Sequence, residues 1–314
     1  HGTIEVLVPL RLGEGAQGVV GVHASMLRSR SLASGAMTAA LLAVALGQRM
    51  PDPAVAAASR ELVMERSDAA LVALAELEME VTAALDLARS ASARVLTGET
   101  SPTAQIEEAA RSALMAEERV VATRRAISAL AAAESARNPA GRLPSQPVAA
   151  GELASAAGQL QASVEKVEAF VVIRQRASDV PTMLERVLIA LADGTPDAAR
   201  EFVGTARADH AAVVAWESDL PTLPVWIETT DAMIGAVEAM VNAVDAGDFA
   251  AASQAADEFA ALGADGAQAD RALRIALGEG GSALLAAPLS RLATVLDAIG
   301  ETRSAISALA VSPS

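Results

Sequence analysis

The residues best suited to chemistry are few. His210 follows Arg207 and Asp209 and stands two helical turns before Glu217, with Trp216 beside that glutamate. A histidine oriented by a carboxylate can exchange a proton near neutral pH or hold a metal ion. A helical metal site needs a second ligand three or four residues away, and the Glu-x-x-His element of di-iron bundles is absent. His210 is therefore expected to be a structural residue, on a helix surface or partly buried. His1 reads as a tag remnant, and His23 lies in the atypical N-terminal stretch.

Aromatic residues are only 2% of the chain, with no Tyr, yet Trp216 and Trp226 bracket one proline-rich turn through Pro221 and Pro224. Two readings stand. The tryptophans plug the core where helices change direction, or they line a pocket for a ligand or partner. The candidate pocket set is His210, Trp216, Glu217 and Trp226, with no catalytic residue, cofactor or metal ligand assigned.

Carboxylates gather at Glu76, Glu78 and Glu80 and at Glu107, Glu108, Glu117 and Glu118. On long helices such groups are expected to be solvated or ion-paired rather than catalytic. Asp265 to Asp270 lacks the ligand series of a calcium loop. Gly278-Glu279-Gly280-Gly281-Ser282 has no lysine and follows a helix, so an interhelix turn is expected rather than a phosphate loop. The absence of Cys removes disulfides and thiolate chemistry. A net charge of −15 disfavours nucleic acid, whose binding needs a basic surface.

The elements that must position these groups are helices. Apolar residues make up 52% of the chain, and much of that count is Ala, the best helix former. Asp52-Pro53 is a strong start, and no glycine interrupts until Gly98. A helix over 53–97 would span about 65–70 Å. Its stripe Val63, Ser67, Ala70, Leu74, Leu77, Val81, Ala84, Ala88, Ala91 and Val95 alternates steps of three and four, which favours coiled-coil-like packing. Ser101-Pro102 starts a second helix ending near Arg137, and the short connection predicts a long antiparallel hairpin.

Residues 138–148 hold three prolines and read as a linker. Beyond it the pattern predicts helices over 151–178 (core face Leu153, Ala157, Leu160, Val164, Val167, Val171), 181–193, 196–218, 225–246, 249–262, 265–278 and 282–310. Residues 190–199 and 243–252 share a helix–glycine–helix pattern, read as convergent helix caps rather than a repeat array.

The N-terminal part is distinct. Residues 1–25 read as a leader or a small hairpin, with β-branched runs flanking Gly13 to Gly18. Residues 26–52 carry Arg28 and Arg30, then the uncharged run Leu32–Gly47, with Ala54-Val55-Ala56 beyond as a small-x-small site. That order is basic, apolar, small, as in a secretory signal or anchor. As a span it is short of the ~20 residues a bilayer needs. The competing reading is a buried Ala/Leu helix of the bundle.

The domain organisation predicted is thus 1–25, an apolar signal- or anchor-like 26–52, a hairpin over 53–137, a linker, and a bundle over 149–314. The fold class is all-α, a long hairpin packed in an up-down helical bundle. The function expected is a non-catalytic extracytoplasmic domain for sensing or protein interaction, with a protein or small-ligand partner. An intracellular scaffold or amphipathic coat protein is the alternative, and a metal-dependent enzyme ranks third. Membrane association through Leu32–Gly47 and homo-oligomer formation are compatible with this pattern.

Overall fold

The computed structural model describes residues 3–12, 16–25, 53–98, 102–137, 151–216 and 218–311. The signal-like run Leu32–Gly47, the linker 138–148 and Glu217 lie outside them. Seven helices are present among the described residues: α1 Pro53–Thr97, α2 Thr103–Arg137, α3 Glu152–Ala192, α4 Pro196–Val214, α5 Leu223–Asp245, α6 Phe249–Ala283 and α7 Ala286–Val311. They pack as an all-α helical bundle. Ahead of them, β1 (Thr3–Leu12) pairs antiparallel with β2 (Ala16–Ser25), Thr3 opposite Ser25 and Leu12 opposite Ala16. The hairpin alternative for this stretch thus describes its backbone.

The chain forms two compact units. One holds residues 1–74, 122–147 and 302–314. Within it Val63, Ala70, Leu74, Leu130 and Ile306 are buried, and the Thr123 hydroxyl donates to the Ala73 carbonyl (3.2 Å). The other holds residues 75–121 and 148–301. In it Arg119 reaches Glu76 (2.6 Å) and Glu80 (3.4 Å), which sets α2 antiparallel to α1. All ten residues of the α1 stripe are buried, because a helix of this length has only that face on which to exclude water.

In the larger unit α3 to α6 neighbour one another in sequence order, and α6 returns to α3. Their shared core holds Ile173, Leu184, Val203, Trp226, Ile234 and Leu273. Two joints repeat one device. At Gly194 (φ 71°) the Gly194 N–H donates to Leu191 O and the Thr195 N–H to Ala190 O; at Gly247 (φ 72°) the Gly247 and Asp248 N–H groups do the same to Val244 and Ala243. These are Schellman closures, in which glycine takes the left-handed conformation. The sequence echo is this shared cap.

Three predicted breaks are absent. The expected helices 151–178 and 181–193 are one helix, α3, with Pro181 inside it. The buried stripe Ile173, Ala177, Val180, Leu184 and Val187 runs straight through, and Pro181 sits on the exposed face, so its ring displaces none of those core side chains. Val164 and Val171 are half-buried rather than core; Ser163 and Ile173 are buried in that helix instead. The predicted helices 249–262 and 265–278 are likewise one, α6, which also runs through Gly280 and Gly281 to Ala283. Those glycines are contact points, not turns. A Cβ on Gly280 would lie 2.6 Å from the Phe170 ring, and one on Gly281 would lie 2.7 Å from Val95 Cγ1. Helix α4 ends at Val214, earlier than expected.

Candidate functional site

His210 occupies a core position of α4. The buried face of that helix is Ala199, Val203, Ala206, His210 and Val213, spaced by threes and fours. His210 is 7% exposed and its ring stacks on Trp226 at 5.6 Å between centroids, 26° between planes. Its Nε2 lies 3.2 Å from the Ile227 carbonyl oxygen. A carbonyl only accepts, so this geometry puts a proton on Nε2. The imidazole therefore ties α4 to the first turns of α5.

Trp226 is 1% exposed and is the largest fully buried side chain. Trp216 follows the end of α4 and meets Phe170 edge-on, at 5.1 Å and 81°. Both tryptophans contribute to the same core cluster through these different aromatic partners. Of the four candidate residues, the structure brings His210 and Trp226 into ring contact and sets Trp216 on Phe170. Glu217 lies outside the described residues.

The charged groups hold helices together. The Arg207 guanidinium forks onto Glu238 through Nε and Nη2, both at 2.8 Å, while Nη1 donates to Asp231. One α4 turn pair earlier, Arg200 bonds Asp245 and Asp197. Arg200 and Arg207 are seven residues apart, and so are Asp231, Glu238 and Asp245. This seven-residue ladder on antiparallel helices fixes the α4–α5 register, as interhelical charges do in coiled bundles. The seven-residue spacing is visible in the sequence, whereas the pairing of the two helices that gives it meaning is not. The Arg207 hydrogen bonds hold the Glu238 carboxyl below its ordinary range and push Arg207 upward.

Arg174 of α3 closes the C-terminus of α1. Its Nη1 donates to Val95 O (2.7 Å) and Leu96 O (3.0 Å), and its Nη2 to Thr97 O (3.3 Å). The final carbonyls of a helix have no partner of their own, and a cation there also meets the negative end of the helix dipole. Burial, with Arg274 nearby, lowers the Arg174 pKa. Asp270 of α6 is 8% exposed, and burial raises its pKa despite the ion pair to Arg274 (2.7 Å).

The acidic clusters resolve into similar contacts. Glu76 and Glu80 bind Arg119, Glu108 binds Arg111 (2.6 Å), and Glu117 accepts the Gly151 N–H (3.2 Å). Among the described residues no three of His, Asp or Glu gather as a metal-ligand set.

A cleft of about 430 Å³ opens at the turn between the tryptophans. Pro221, Thr222, Val225 and Thr229 form one wall, and Asp265, Gln268, Ala269 and Ala272 of α6 form the other. Thr222, the N-cap of α5, and Val225 in its first turn both precede Trp226, whose indole turns inward. Val225 is 58% exposed. The Thr222 hydroxyl oxygen is buried without a hydrogen-bond partner, and the Thr229 hydroxyl is occupied by the Val225 carbonyl (2.8 Å). The proline-rich turn thus does border an opening, but through residues that the aromatic signal alone does not identify. Comparison of the chain with protein-family models, with curated proteins and with solved structures returned no match.

Proposed function

We propose that this bundle is a non-catalytic extracytoplasmic domain for sensing or protein interaction. The observation that carries the reading is the commitment of the reactive groups: His210 is spent on Trp226 and Ile227, and Arg207 on Glu238 and Asp231. The cleft between the Pro221 turn and α6 is mostly walled by small or apolar side chains, as in ligand clefts of moderate size. Export is supported by the basic–apolar–small order of residues 28–56. Among the described residues no single helix is long and apolar enough to cross a membrane; α6 and α7 reach that length and composition only as a pair bent by 43°.

Fractionation of the natively expressed protein, with intact mass, tests this reading. The expected product lies outside the cytoplasm, either anchored at the membrane or with a mass matching a start near Ala57. An intact N-terminus in the soluble cytoplasmic fraction overturns it. The second reading, an intracellular scaffold or coat protein, then leads. It is favoured by the apolar side chains left in water on the long helices, Val72 (59% exposed) and Met79 (61%) on α1 and Leu114 and Val121 on α2. Each of those pairs is seven residues apart and so shares a helix face, a surface suited to a partner helix or a second copy.

A further inference from the structure

We propose that Met79 and Met115, on the exposed face of the α1–α2 hairpin in the larger unit, form a reversible oxidation site that takes an oxygen atom from hydrogen peroxide or a related two-electron oxidant. The chain has nine methionines and no Cys, so thioether oxidation is its only sulfur redox chemistry. The oxidant balances the step. The peroxide O–O bond breaks, an S–O bond forms at the thioether sulfur, and water leaves; the sulfur loses two electrons and the peroxide gains them. The site does not rest on the extracytoplasmic reading.

Exposure decides which sulfurs an oxidant reaches. Met79 is 61% exposed and Met115 is 51% exposed. Leu77 and Val81 on α1 and Ala113 and Ala116 on α2 have no exposed surface, so the core side of each helix is filled without the methionines. Both thioethers border one ion-paired group. Arg119 of α2 reaches Glu76 (2.6 Å) and Glu80 (3.4 Å) of α1. Met115 precedes Arg119 by four residues and Met79 follows Glu76 by three, the spacings at which helical side chains are neighbours.

Oxidation turns a flexible apolar side chain into a polar sulfoxide. Beside charged groups and water, that change leaves the packing intact. The buried sulfurs lie differently. Met240 is 7% exposed, and the Met233 sulfur packs so closely on Gly266 that no Cβ fits between them. An added oxygen at either would displace core contacts. Met64 on α1, as open as Met79, supplies the rate of an ordinary exposed thioether.

Timed treatment of the full chain with hydrogen peroxide, read by peptide-resolved mass spectrometry, is the test. Met79 and Met115 are expected to gain oxygen at the rate of Met64, and at least about tenfold faster than Met240 and Met233. The thermal midpoint is expected to hold until the buried pair reacts. Incubation of the folded, oxidised chain with the two methionine sulfoxide reductases, one for each epimer, is expected to return both residues to thioethers. The double variant Met79→Leu with Met115→Leu conserves volume at exposed positions. It is expected to fold as the parent does and to lose two of the fast additions. Oxidation of Met79 or Met115 no faster than that of Met240 would overturn the proposal. So would a fall in the parent's thermal midpoint that the double variant escapes, or sulfoxides that the reductases leave in place.

Discussion

At the residue scale, the carboxylates divide by how they are partnered. Glu238 accepts two hydrogen bonds from Arg207, which favours its charged form and depresses its folded pKa. A depressed carboxyl contributes stability that is complete above the ordinary glutamate range and fades as pH falls through the folded value. Glu238→Gln is expected to cost about 1 kcal/mol at pH 7, a modest figure because the pair is partly solvated. That difference from the parent chain should shrink below about pH 4, as read by urea unfolding at several pH values. Asp270 has the opposite sign. Its burial outweighs the pull of Arg274 and raises its pKa, so its contribution is favourable below the ordinary aspartate range and is lost as pH rises through the folded value. Asp270→Asn is expected to raise stability by about 1 kcal/mol at neutral pH. The gain should vanish in acid, where the parent carboxyl is already protonated. A lower melting temperature for Asp270→Asn at pH 7 would refute the assignment.

At the element scale, helix α6 shows that glycines of one residue type serve different ends. Gly281 faces Val95 Cγ1 and the Phe170 Cβ (3.3 Å), so it lets two helices approach. Gly263 has nothing within 4 Å of a built Cβ. Alanine at Gly263 should therefore realise the intrinsic helix advantage of about 1 kcal/mol. Alanine at Gly281 meets a buried valine that cannot swing away, and overpacking of about 1–3 kcal/mol should exceed the helix gain. Thermal unfolding of the two variants should move in opposite directions. The same logic governs Pro181. A proline within a helix pattern was read as a stop, yet the apolar stripe on either side keeps one phase, and its burial outweighs the lost hydrogen bond.

At the scale of the whole molecule, a net charge of −15 makes copies of the chain repel at neutral pH, and that repulsion fades near the sequence pI of about 4.7. Its solubility is expected to pass through a minimum near that pH, measured as the soluble fraction across a pH series, and a flat profile would contradict it. What the sequence determined by itself was the helical periodicity. The ends of α1, the start of α2 and the ten-residue buried stripe were legible because Pro, Gly and the 3.6-residue period act locally, over a few turns. The caps at Gly194 and Gly247 were legible for the same reason. What only the tertiary structure decided was how side chains distant in sequence spend their bonding capacity. His210 offered the types for proton transfer, but its fate was set by Trp226, sixteen residues on in a neighbouring helix. Gly280 and Gly281 of α6 read as a turn in the sequence, but Phe170 and Val95, far away in the chain, fill the space beside them. Asp265 and Thr222 acquired a common opening only when α5 and α6 packed. Local pattern carries the energy of forming a helix; the use of each polar group depends on which surface the folded chain brings against it.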